Sequence, residues 1–443
     1  MMTAGPLMTW LMAGKEKLTN WAGNLTYSTD QLSEASSVDE VRGFVTAHEK
    51  LKVLGTRHCF NNIADSQDNL LSLRPIGKPG MNQWQDVATI DEKARTVTVG
   101  SAMKYGELAP VLEAKGWALH NLASLPHISV AGAVTTATHG SGEKNGNLAT
   151  AVVGLEMVQG AGEVVTLTKA KDGEAFRAAV VGLGALGVIT KVTLAIQPTY
   201  QVKQYVYENM PMSEMAKHFD QIQAAGYSVS LFTDWQKKRI NEVWIKSRVG
   251  GGHEFAAPKE FFGGTLATKN LHPIAEISAE NCTDQMGVAG PWYDRLPHFK
   301  MGFTPSAGKE LQTEYFVPRK HAVDAILAVE RLREHVSPHL LISEIRTIAA
   351  DDLWLSMAYK QESVALHFTW KPDWENVEKV LPLIEKELGV YGARPHWGKL
   401  FTMSGTELRL RYERMPEFVA MAKKFDPHGK FRNDFLRRNV FGV

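Results

Sequence analysis

Two segments in the second half of the chain alternate apolar residues with polar ones that could bind and ionise a hydroxyl group. In residues 340–348, Glu344 and Arg346 stand two positions apart and so share one face of a strand. In residues 363–370, His367 and Thr369 share a face in the same way, and the alternate positions are apolar. These groups can hydrogen-bond a row of hydroxyls. The residues alone nevertheless favour a solvent-exposed sheet face over a polar pocket, because antiparallel sheets commonly expose one face to solvent.

Two glycine-containing loops in the first half could cradle phosphate groups. Residues 55–61 follow an apolar strand at 52–54, and residues 135–142 follow a run of small residues at 129–134. Glycine lets the backbone approach a ligand closely, and successive N–H groups form an anion-binding nest. Each loop taken alone is also consistent with an ordinary Gly/Ser turn.

A GxGxxG motif at 182–187 is a tempting dinucleotide fingerprint that its context argues against. That fingerprint needs a strand before it and a helix after it, so that the pyrophosphate meets a helix N-terminus. Here residues 172–181 have a helical pattern and residues 188–196 are rich in β-branched residues. We therefore interpret these glycines as a tight turn from a helix into a strand.

Short strands and helices must position these residues. The predicted order of these elements along the chain is not a regular βαβ alternation. The spacing predicts hairpins over 86–100 and 151–168 and an irregular stretch at 250–264. Further strands are predicted at 52–54, 70–73, 188–196, 204–208, 228–235, 241–247, 311–317, 340–348 and 363–370, and helices at 105–115, 172–181, 213–225, 322–335, 374–388 and 415–425. The chain is therefore expected to be α+β.

Composition narrows the class of protein. The 443 residues are enough for two or three domains, and a net charge of +1 argues against nucleic acid or an anionic membrane as partner. Cys59 and Cys282 can build neither a disulfide framework nor a four-thiolate metal site, so we expect reduced thiols, a cytoplasmic location and no metal. The apolar run near the N-terminus is too short to cross a bilayer and lacks the basic lead of a signal peptide.

The two loops, about eighty residues apart in a strand-rich half, together resemble the vanillyl-alcohol-oxidase type of FAD-binding fold, and within it the alditol (xylitol) oxidases. The matching runs extend in order over nearly the whole chain: NWAGN at 20–24, GTRHCFN at 55–61, ASLPHISVAG at 123–132, THGSG at 138–142, LGALGVIT at 183–190, YSVSLFTDW at 227–235, LPHF at 296–299 and RPHWGK at 394–399.

This resemblance implies an α+β, two-domain flavoprotein. The FAD-binding domain would span residues 1–198 and be completed by residues 404–443, and an α+β cap domain would span residues 199–403. A monomer is expected on the same ground. The resemblance also implies that His58 carries FAD through a covalent bond to the flavin 8α-carbon.

Further cofactor contacts follow from the resemblance. Cys59 stands where these enzymes often have serine, and we expect it to be a small packing residue. Neither cysteine lies in the second glycine loop, so a second covalent link is not expected. The residues implied to contact FAD besides His58 are Val53, Leu54, Gly55, Thr56, Arg57, Cys59, Ser124, Ser129, Gly132, Thr135, Thr138, His139, Gly140, Ile189 and His396.

The implied activity is oxidation of the terminal C1 hydroxyl of a small polyol, by hydride transfer to flavin N5, with oxygen reduced to hydrogen peroxide. The C1 hydroxyl would lie between Arg346 and Lys399, and its proton would leave through Lys399, water or His367. Glu344 would hold the next hydroxyl, and small Ala123 would leave room for oxygen. The residues implied to bind the polyol are Ser124, Gln312, Glu344, Arg346, His367, Thr369 and Lys399.

Three other functions stay open at this point. A sugar-lactone oxidase or dehydrogenase of the same fold could use the Arg346 and Lys399 pair to polarise a lactone. An NAD-dependent dehydrogenase could use residues 182–187. A flavin- or sugar-binding protein without catalysis is the third, and the expected grouping of a base, a guanidinium and a carboxylate near the flavin speaks against it.

Overall fold

The structure is a computed structural model, and it describes residues 18–74, 88–251, 254–302 and 309–443. The apolar run near the N-terminus and the first two residues of the strand predicted at 86–90 lie outside the described residues. None of the described helices is long and apolar enough to cross a membrane.

The first part of the chain carries a parallel sheet, an antiparallel sheet and a two-strand pair. The parallel sheet has the order β1-β3-β2, the antiparallel sheet has the order β4-β5-β9-β7-β8, and β6 pairs with β10. Both predicted hairpins are confirmed, because β4 pairs antiparallel with β5 and β7 with β8. The strands are β1 (Leu32–Glu34), β2 (Lys52–Val53), β3 (Leu70–Ser72), β4 (Ala88–Asp91), β5 (Thr96–Gly100), β6 (Trp117–Ala118), β7 (Val152–Val158), β8 (Val164–Thr168), β9 (Val188–Ala195) and β10 (Gln197–Pro198).

The second part is built on one large antiparallel sheet. Among the described residues it has ten strands, in the order β14-β15-β11-β13-β12-β18-β19-β17-β20, with β16 paired to β11. The strands are β11 (Gln201–Pro211), β12 (Ser228–Thr233), β13 (Arg239–Arg248), β14 (Glu260–Phe261), β15 (Gly264–Leu266), β16 (Gly290–Pro291), β17 (Leu311–Pro318), β18 (Leu340–Ile348), β19 (Ser363–Trp370) and β20 (Arg394–Pro395). The prediction of an irregular stretch at 250–264 was wrong at its C-terminal end. There β14 and β15 pair with one another and extend the edge of the sheet beyond β11.

The six predicted helices are present, but one is interrupted, and the helices Val38–Ala47, Gly405–Leu410 and Asp434–Leu436 were not predicted. The helix predicted at 322–335 is interrupted at Leu332, whose φ of −88° and ψ of 5° are not helical. A short helix at Val130–Thr135, mostly within the run of small residues at 129–134, was not predicted. The α-helices span Val38–Ala47, Tyr105–Ala114, Val130–Thr135, Gly173–Val180, Met212–Gln223, Ala322–Arg331, Arg333–Val336, Trp374–Gly389, Gly405–Leu410, Met415–Phe425 and Asp434–Leu436. Turns of 3-10 helix span Asn62–Ala64, Leu148–Ala151, Ala279–Asn281, Trp292–Asp294, Arg319–His321 and Ser337–His339, and Arg437–Phe441 is a π-helical turn.

The large sheet has one apolar face and one polar face in its centre. Tyr315, Leu366 and Trp370 are buried with the helices Ala322–Arg331 and Trp374–Gly389 in one core. Because side chains alternate along a strand, the intervening residues of β17, β18 and β19 point to the opposite face. That face lies against loops of the first part, where the Arg346 guanidinium donates a hydrogen bond to the Ser124 hydroxyl oxygen at 3.2 Å.

The C-terminal residues pack with the first part of the chain. Leu408, Phe418 and Leu436 are buried in the same core as β5 and β9, and the Leu51 N–H donates to the Lys430 carbonyl at 3.0 Å. Strands β1 to β10 lie within the predicted FAD-binding domain and β11 to β20 within the predicted cap domain. The domain boundaries themselves stay a prediction.

The glycines at 182–187 form a turn from helix to strand, as predicted. The helix Gly173–Val180 precedes them and β9 follows them. Gly187 has a φ of +158°, and a Cβ atom there would lie 2.5 Å from the Val158 carbonyl oxygen. The strand-then-helix order of a dinucleotide fingerprint is therefore absent from this described segment.

Candidate active site

A cavity of about 300 Å³ lies where loops of the first part face the polar side of the large sheet. It brings together all but one of the residues that the sequence predicted to bind cofactor or substrate. These lining residues are Val53, Leu54, Gly55, Thr56, Arg57, His58, Cys59, Ala123, Ser124, Ser129, Gly132, Thr135, Thr138, His139, Ile189, Gln312, Glu344, Arg346, His367, Thr369, His396 and Lys399. The polar strand faces therefore line a pocket, and the expectation of a solvent-exposed face was wrong.

Gly140 is the exception, because it packs against the chain behind the cavity. A Cβ atom at this position would lie 2.3 Å from the Leu122 carbonyl oxygen and 2.5 Å from the Asn121 side chain. The Gly140 carbonyl also lies 2.8 Å from His139 Nδ1. Gly140 therefore orients His139, which lines the cavity, and does not line the cavity itself.

The first glycine loop packs against the run of small residues that precedes the second loop, and the contact lies at Ser129. A Cβ atom at Gly55 or at Gly132 would lie 2.8 Å from the Ser129 hydroxyl oxygen. The Ser129 N–H donates to the Thr56 hydroxyl oxygen at 3.2 Å. Arg57 has a positive φ of 62°, a conformation that turns neighbouring N–H groups toward one side as in an anion-binding nest. The loops thus form a narrow polar cradle suited to a pyrophosphate.

His58 presents an imidazole with unused hydrogen-bonding capacity. Its ring stacks on Trp21 at a centroid distance of 5.3 Å. Both ring nitrogens are buried without a hydrogen-bond partner of good geometry among the described residues. Burial, with His127 nearby, lowers the pKa of His58 to about 4, although the Thr56 backbone opposes the shift. A neutral, unpartnered imidazole in the cavity wall fits attachment of a flavin.

Both cysteines are free, and Cys282 is buried while Cys59 is partly buried. Cys59 lines the cavity, and a Cβ atom at Gly398 would lie 3.2 Å from its sulfur. Burial raises the pKa of the Cys59 thiol to about 11 and that of Cys282 to about 12. Both are therefore neutral thiols at physiological pH, and Cys59 behaves as the small packing residue that was expected.

Strand register places the reactive groups side by side. In the sheet Glu344 of β18 is opposite His367 of β19, which is opposite Glu314 of β17. Since paired residues of adjacent strands project to the same face, three titratable side chains form a row across the cavity wall. Lys399 comes from the loop after β20 and closes this row.

Glu314 is the buried centre of the site and was missed from the sequence. Its side chain is fully buried, and it accepts hydrogen bonds from Lys399 Nζ at 2.7 Å and Arg346 Nη2 at 2.9 Å. His139 Nε2 lies 3.2 Å from the same carboxylate. Burial alone would raise the pKa of Glu314, but Lys399, His139 and Arg346 outweigh it and hold that pKa well below its usual range. The alternation of Gln312 and Glu314 in the predicted strand 311–317 was the signal that could have found it.

Glu344 has a separate set of partners. Its Oε1 lies 2.8 Å from His298 Nε2 and 3.5 Å from Arg346 Nε. Burial by itself would raise the pKa of Glu344, but the Arg346 guanidinium and His298 lower it far below its usual range. The site thus holds two ionised carboxylates on either side of one guanidinium.

Lys399 and His367 form a polar pair that can handle a proton. Lys399 Nζ lies 2.7 Å from His367 Nδ1, and His367 Nε2 lies 3.0 Å from the Thr369 hydroxyl oxygen. Burial lowers the pKa of both groups, well below the usual value for His367. His367 is therefore neutral, and Lys399 releases its proton more readily than an exposed lysine does.

Comparison with known proteins identifies the family. The chain is 45% identical over 421 residues to the alditol oxidase of a Streptomyces species, and the match covers 95% of this chain and 98% of that enzyme. A family model described as FAD binding domain matches residues 31–168.

The chain belongs to the alditol oxidase family.

Alditol oxidases and lactone-oxidising enzymes are related, and the comparisons reflect this. A family model described as D-arabinono-1,4-lactone oxidase matches residues 304–439. The L-gulono-1,4-lactone dehydrogenase of Mycobacterium tuberculosis is 26% identical over 436 residues, covering 95% of this chain and 98% of that enzyme. This alditol oxidase family member is an FAD-dependent oxidoreductase.

Solved structures support the fold. The crystal structure of cholesterol oxidase from B. sterolicum matches with a TM-score of 0.73 at 14% identity, covering 96% of both chains. A solvent-stable cholesterol oxidase matches with a TM-score of 0.75, also at 14% identity, covering 97% of this chain and 98% of that one. The expected α+β flavoprotein fold is thereby confirmed.

Replacing the central carboxylate should destabilise the protein more than replacing another buried one. Glu314→Gln leaves Lys399 and part of Arg346 without a counter-charge, so we expect a loss of about 3–5 kcal/mol of unfolding free energy. Glu385→Gln is the control, because the partners of Glu385 are the uncharged Tyr315 and Thr402. Urea unfolding of both variants measures this, and equal losses would contradict the central role of Glu314.

Proposed function

We propose that this protein oxidises the terminal C1 hydroxyl of an alditol, such as xylitol or sorbitol, to the aldose and reduces oxygen to hydrogen peroxide. The observation that carries the proposal is that Arg346 and Lys399, both held by Glu314, share one cavity with His58, whose ring nitrogens have no hydrogen-bond partner of good geometry among the described residues. The Arg346 guanidinium beside a hydroxyl oxygen favours negative charge on that oxygen, and a neutral Lys399 amine can accept the proton that leaves it.

FAD is the cofactor that this cavity suits, and His58 would carry it covalently at the flavin 8α-carbon. The segments around Gly55 and Gly132 would hold the pyrophosphate, and Ile189 and His396 would be further contacts. When bound, the flavin supplies the acceptor for the substrate hydride and delivers the electrons to oxygen. Support for the covalent link comes from the neutral imidazole, whose ring nitrogens are buried without partners of good geometry.

Lys399 accepts the proton of the C1 hydroxyl. It hydrogen-bonds Glu314 and His367 already, so its nitrogen is held in one place. Its pKa is lowered by burial, which makes the neutral amine available nearer to neutral pH. Arg346, which stays protonated, binds the substrate oxygen and stabilises the charge that develops on it.

The other polar groups bind the rest of the polyol chain. Glu344 accepts a hydrogen bond from the hydroxyl next to the reacting carbon. Ser124, Gln312 and Thr369 bind hydroxyls further along the polyol chain. A substrate that lacks one of these hydroxyls leaves a buried polar group unpaired, which costs roughly 1–3 kcal/mol. The site therefore discriminates between hydroxyl patterns. Ala123 lines the same cavity with a single methyl group and leaves space for oxygen.

The remaining proposals concern the whole protein. We propose that it is a cytoplasmic monomer, in keeping with its two free cysteines among the described residues. The FAD-binding domain spans 1–198 and 404–443, and the cap domain spans 199–403. The core cluster whose buried members all lie between Tyr207 and Ala393 supports the cap domain, whereas the other core cluster also includes Trp292, Trp354 and Trp397 and so joins the two parts.

A sugar-lactone oxidase or dehydrogenase is the second candidate. The family model that matches residues 304–439 favours it, because that segment supplies Gln312, Glu314 and Lys399. The chain is 45% identical to an alditol oxidase and 26% identical to a lactone dehydrogenase, and this difference supports an alditol as the substrate. Peroxide production measured with xylitol and with L-gulono-1,4-lactone separates the two.

The first prediction concerns the covalent bond. Acid-precipitated protein should retain its yellow flavin, whereas the His58→Ala variant should release FAD into the supernatant. His48→Ala, at the end of a surface helix, is the matched control and should retain the flavin. A colourless pellet from the unchanged protein would show that His58 does not form the bond.

A second prediction concerns Lys399. Lys399→Ala should lower kcat/KM for xylitol by about 10²–10⁴-fold, the range for loss of a general base. In the unchanged protein kcat/KM should rise with pH through a transition below the ordinary lysine value, because only the neutral amine accepts a proton. The variant should lose that transition, and Lys371→Ala, on the surface of the same part, should keep it. Unchanged turnover in Lys399→Ala would overturn the assigned role.

A further inference from the structure

Next to Glu344, a buried histidine that also lines the cavity and a buried lysine form a chain of hydrogen bonds that the proposed reaction does not use. Lys246 Nζ lies 3.1 Å from His298 Nδ1, and His298 Nε2 lies 2.8 Å from Glu344 Oε1. Lys246 is only 1% exposed and His298 5% exposed. A buried ammonium is expensive unless all its donors are satisfied, so its presence calls for a reason.

The partners of His298 determine which of its nitrogens carries the hydrogen. Burial lowers the pKa of His298 to about 4, so its ring is neutral and carries one hydrogen. The Glu344 carboxylate can only accept, so this hydrogen lies on Nε2 and Nδ1 accepts from Lys246 Nζ. Lys246 Nζ also donates to the carbonyl oxygens of Leu296 at 2.5 Å and Pro297 at 2.9 Å.

Packing holds the imidazole in this orientation. Its ring meets Phe232 at 5.5 Å and Trp244 at 5.1 Å, both edge to face. Trp244 and Lys246 stand two apart on β13, and Phe232 pairs with Glu344 between β12 and β18. The sheet thus supplies the lysine, the carboxylate and two walls around the ring, and the loop 296–299 supplies the histidine.

We infer that Lys246 and His298 are positioning residues that lock Glu344 as a fixed hydrogen-bond acceptor for the hydroxyl next to the reacting carbon, an inference that rests on the proposed function. Among the described residues Lys246 hydrogen-bonds His298 and the two carbonyls, so its hydrogen-bond path to Glu344 runs through His298, and its charge also attracts the Glu344 carboxylate directly. His298 engages Glu344 through Oε1, which fixes the plane of the carboxylate. This hydrogen-bonded chain therefore controls substrate affinity more than it controls the rate of the chemical step.

Kinetics with xylitol test this inference. His298→Leu should raise KM by about 10–100-fold, as expected for loss of a hydrogen bond to a charged group, with a smaller change in kcat. His298→Gln should restore most of the affinity, because an amide N–H can donate to Glu344. Lys246→Met alone should also raise KM. Added to His298→Leu, it should change KM little further.

Two surface substitutions serve as matched controls, and a spectrum guards against misfolding. His339 and Lys203 form ion pairs on the surface of the same part, so His339→Leu and Lys203→Met should leave KM unchanged. The flavin absorbance spectrum and the rate at which oxygen reoxidises chemically reduced enzyme should be the same in all variants. An unchanged KM in His298→Leu, or a His298→Gln variant no better than His298→Leu, would overturn the inference.

A second measurement does not depend on the substrate. In ¹⁵N-histidine NMR spectra, the signals that His298→Gln removes belong to His298. We expect them to show hydrogen on Nε2 and none on Nδ1, and Lys246→Met to disturb this pattern. Hydrogen on Nδ1 in the unchanged protein would contradict the chain of donors. If the protein failed to oxidise xylitol, the proposed function would fail while this spectrum still decided whether the lysine and histidine hold Glu344.

Discussion

A single buried carboxylate, Glu314, organises the candidate active site. Without it the cavity wall would hold the Arg346 guanidinium and the Lys399 ammonium close together, with only Glu344 to balance them. Both cations hydrogen-bond Glu314, which is fully buried, and His139 reaches it from the first part of the chain. One charge interaction therefore joins the large sheet, the loop that follows it and the second glycine loop. The position of every proposed proton-handling group depends on it.

This constraint explains why the site lies where two parts of the chain meet. Neither the glycine loops nor the polar sheet face encloses a cavity alone. The loops contribute an imidazole, His58, with unused hydrogen-bonding capacity, and the sheet contributes paired charges that need shielding from water. Bringing them together protects the charges and leaves a cavity with a polar wall. Substrate binding and cofactor binding are thus consequences of the same contact.

Much of the fold could be predicted because its elements are long and regular. The alternation in β18 and β19 and the helical spacing of Met415–Phe425 gave bounds that the structure confirms. The short strands β14 and β15 could not be predicted, because they exist only by pairing with the edge of a sheet whose order the sequence does not reveal. Glu314 was missed for a similar reason. Its burial depends on the register of β17 beside β19 and on a loop more than eighty residues away that brings Lys399 to it.

The most direct test of the central claim is a crystal structure of the FAD-loaded protein with xylitol bound. The account predicts a terminal hydroxyl of xylitol within hydrogen-bond distance of both Lys399 Nζ and Arg346, with Glu314 still bonded to these two side chains and the adjacent hydroxyl on Glu344. A polyol bound elsewhere, or a Lys399 that has left Glu314 and points away from the substrate, would contradict it.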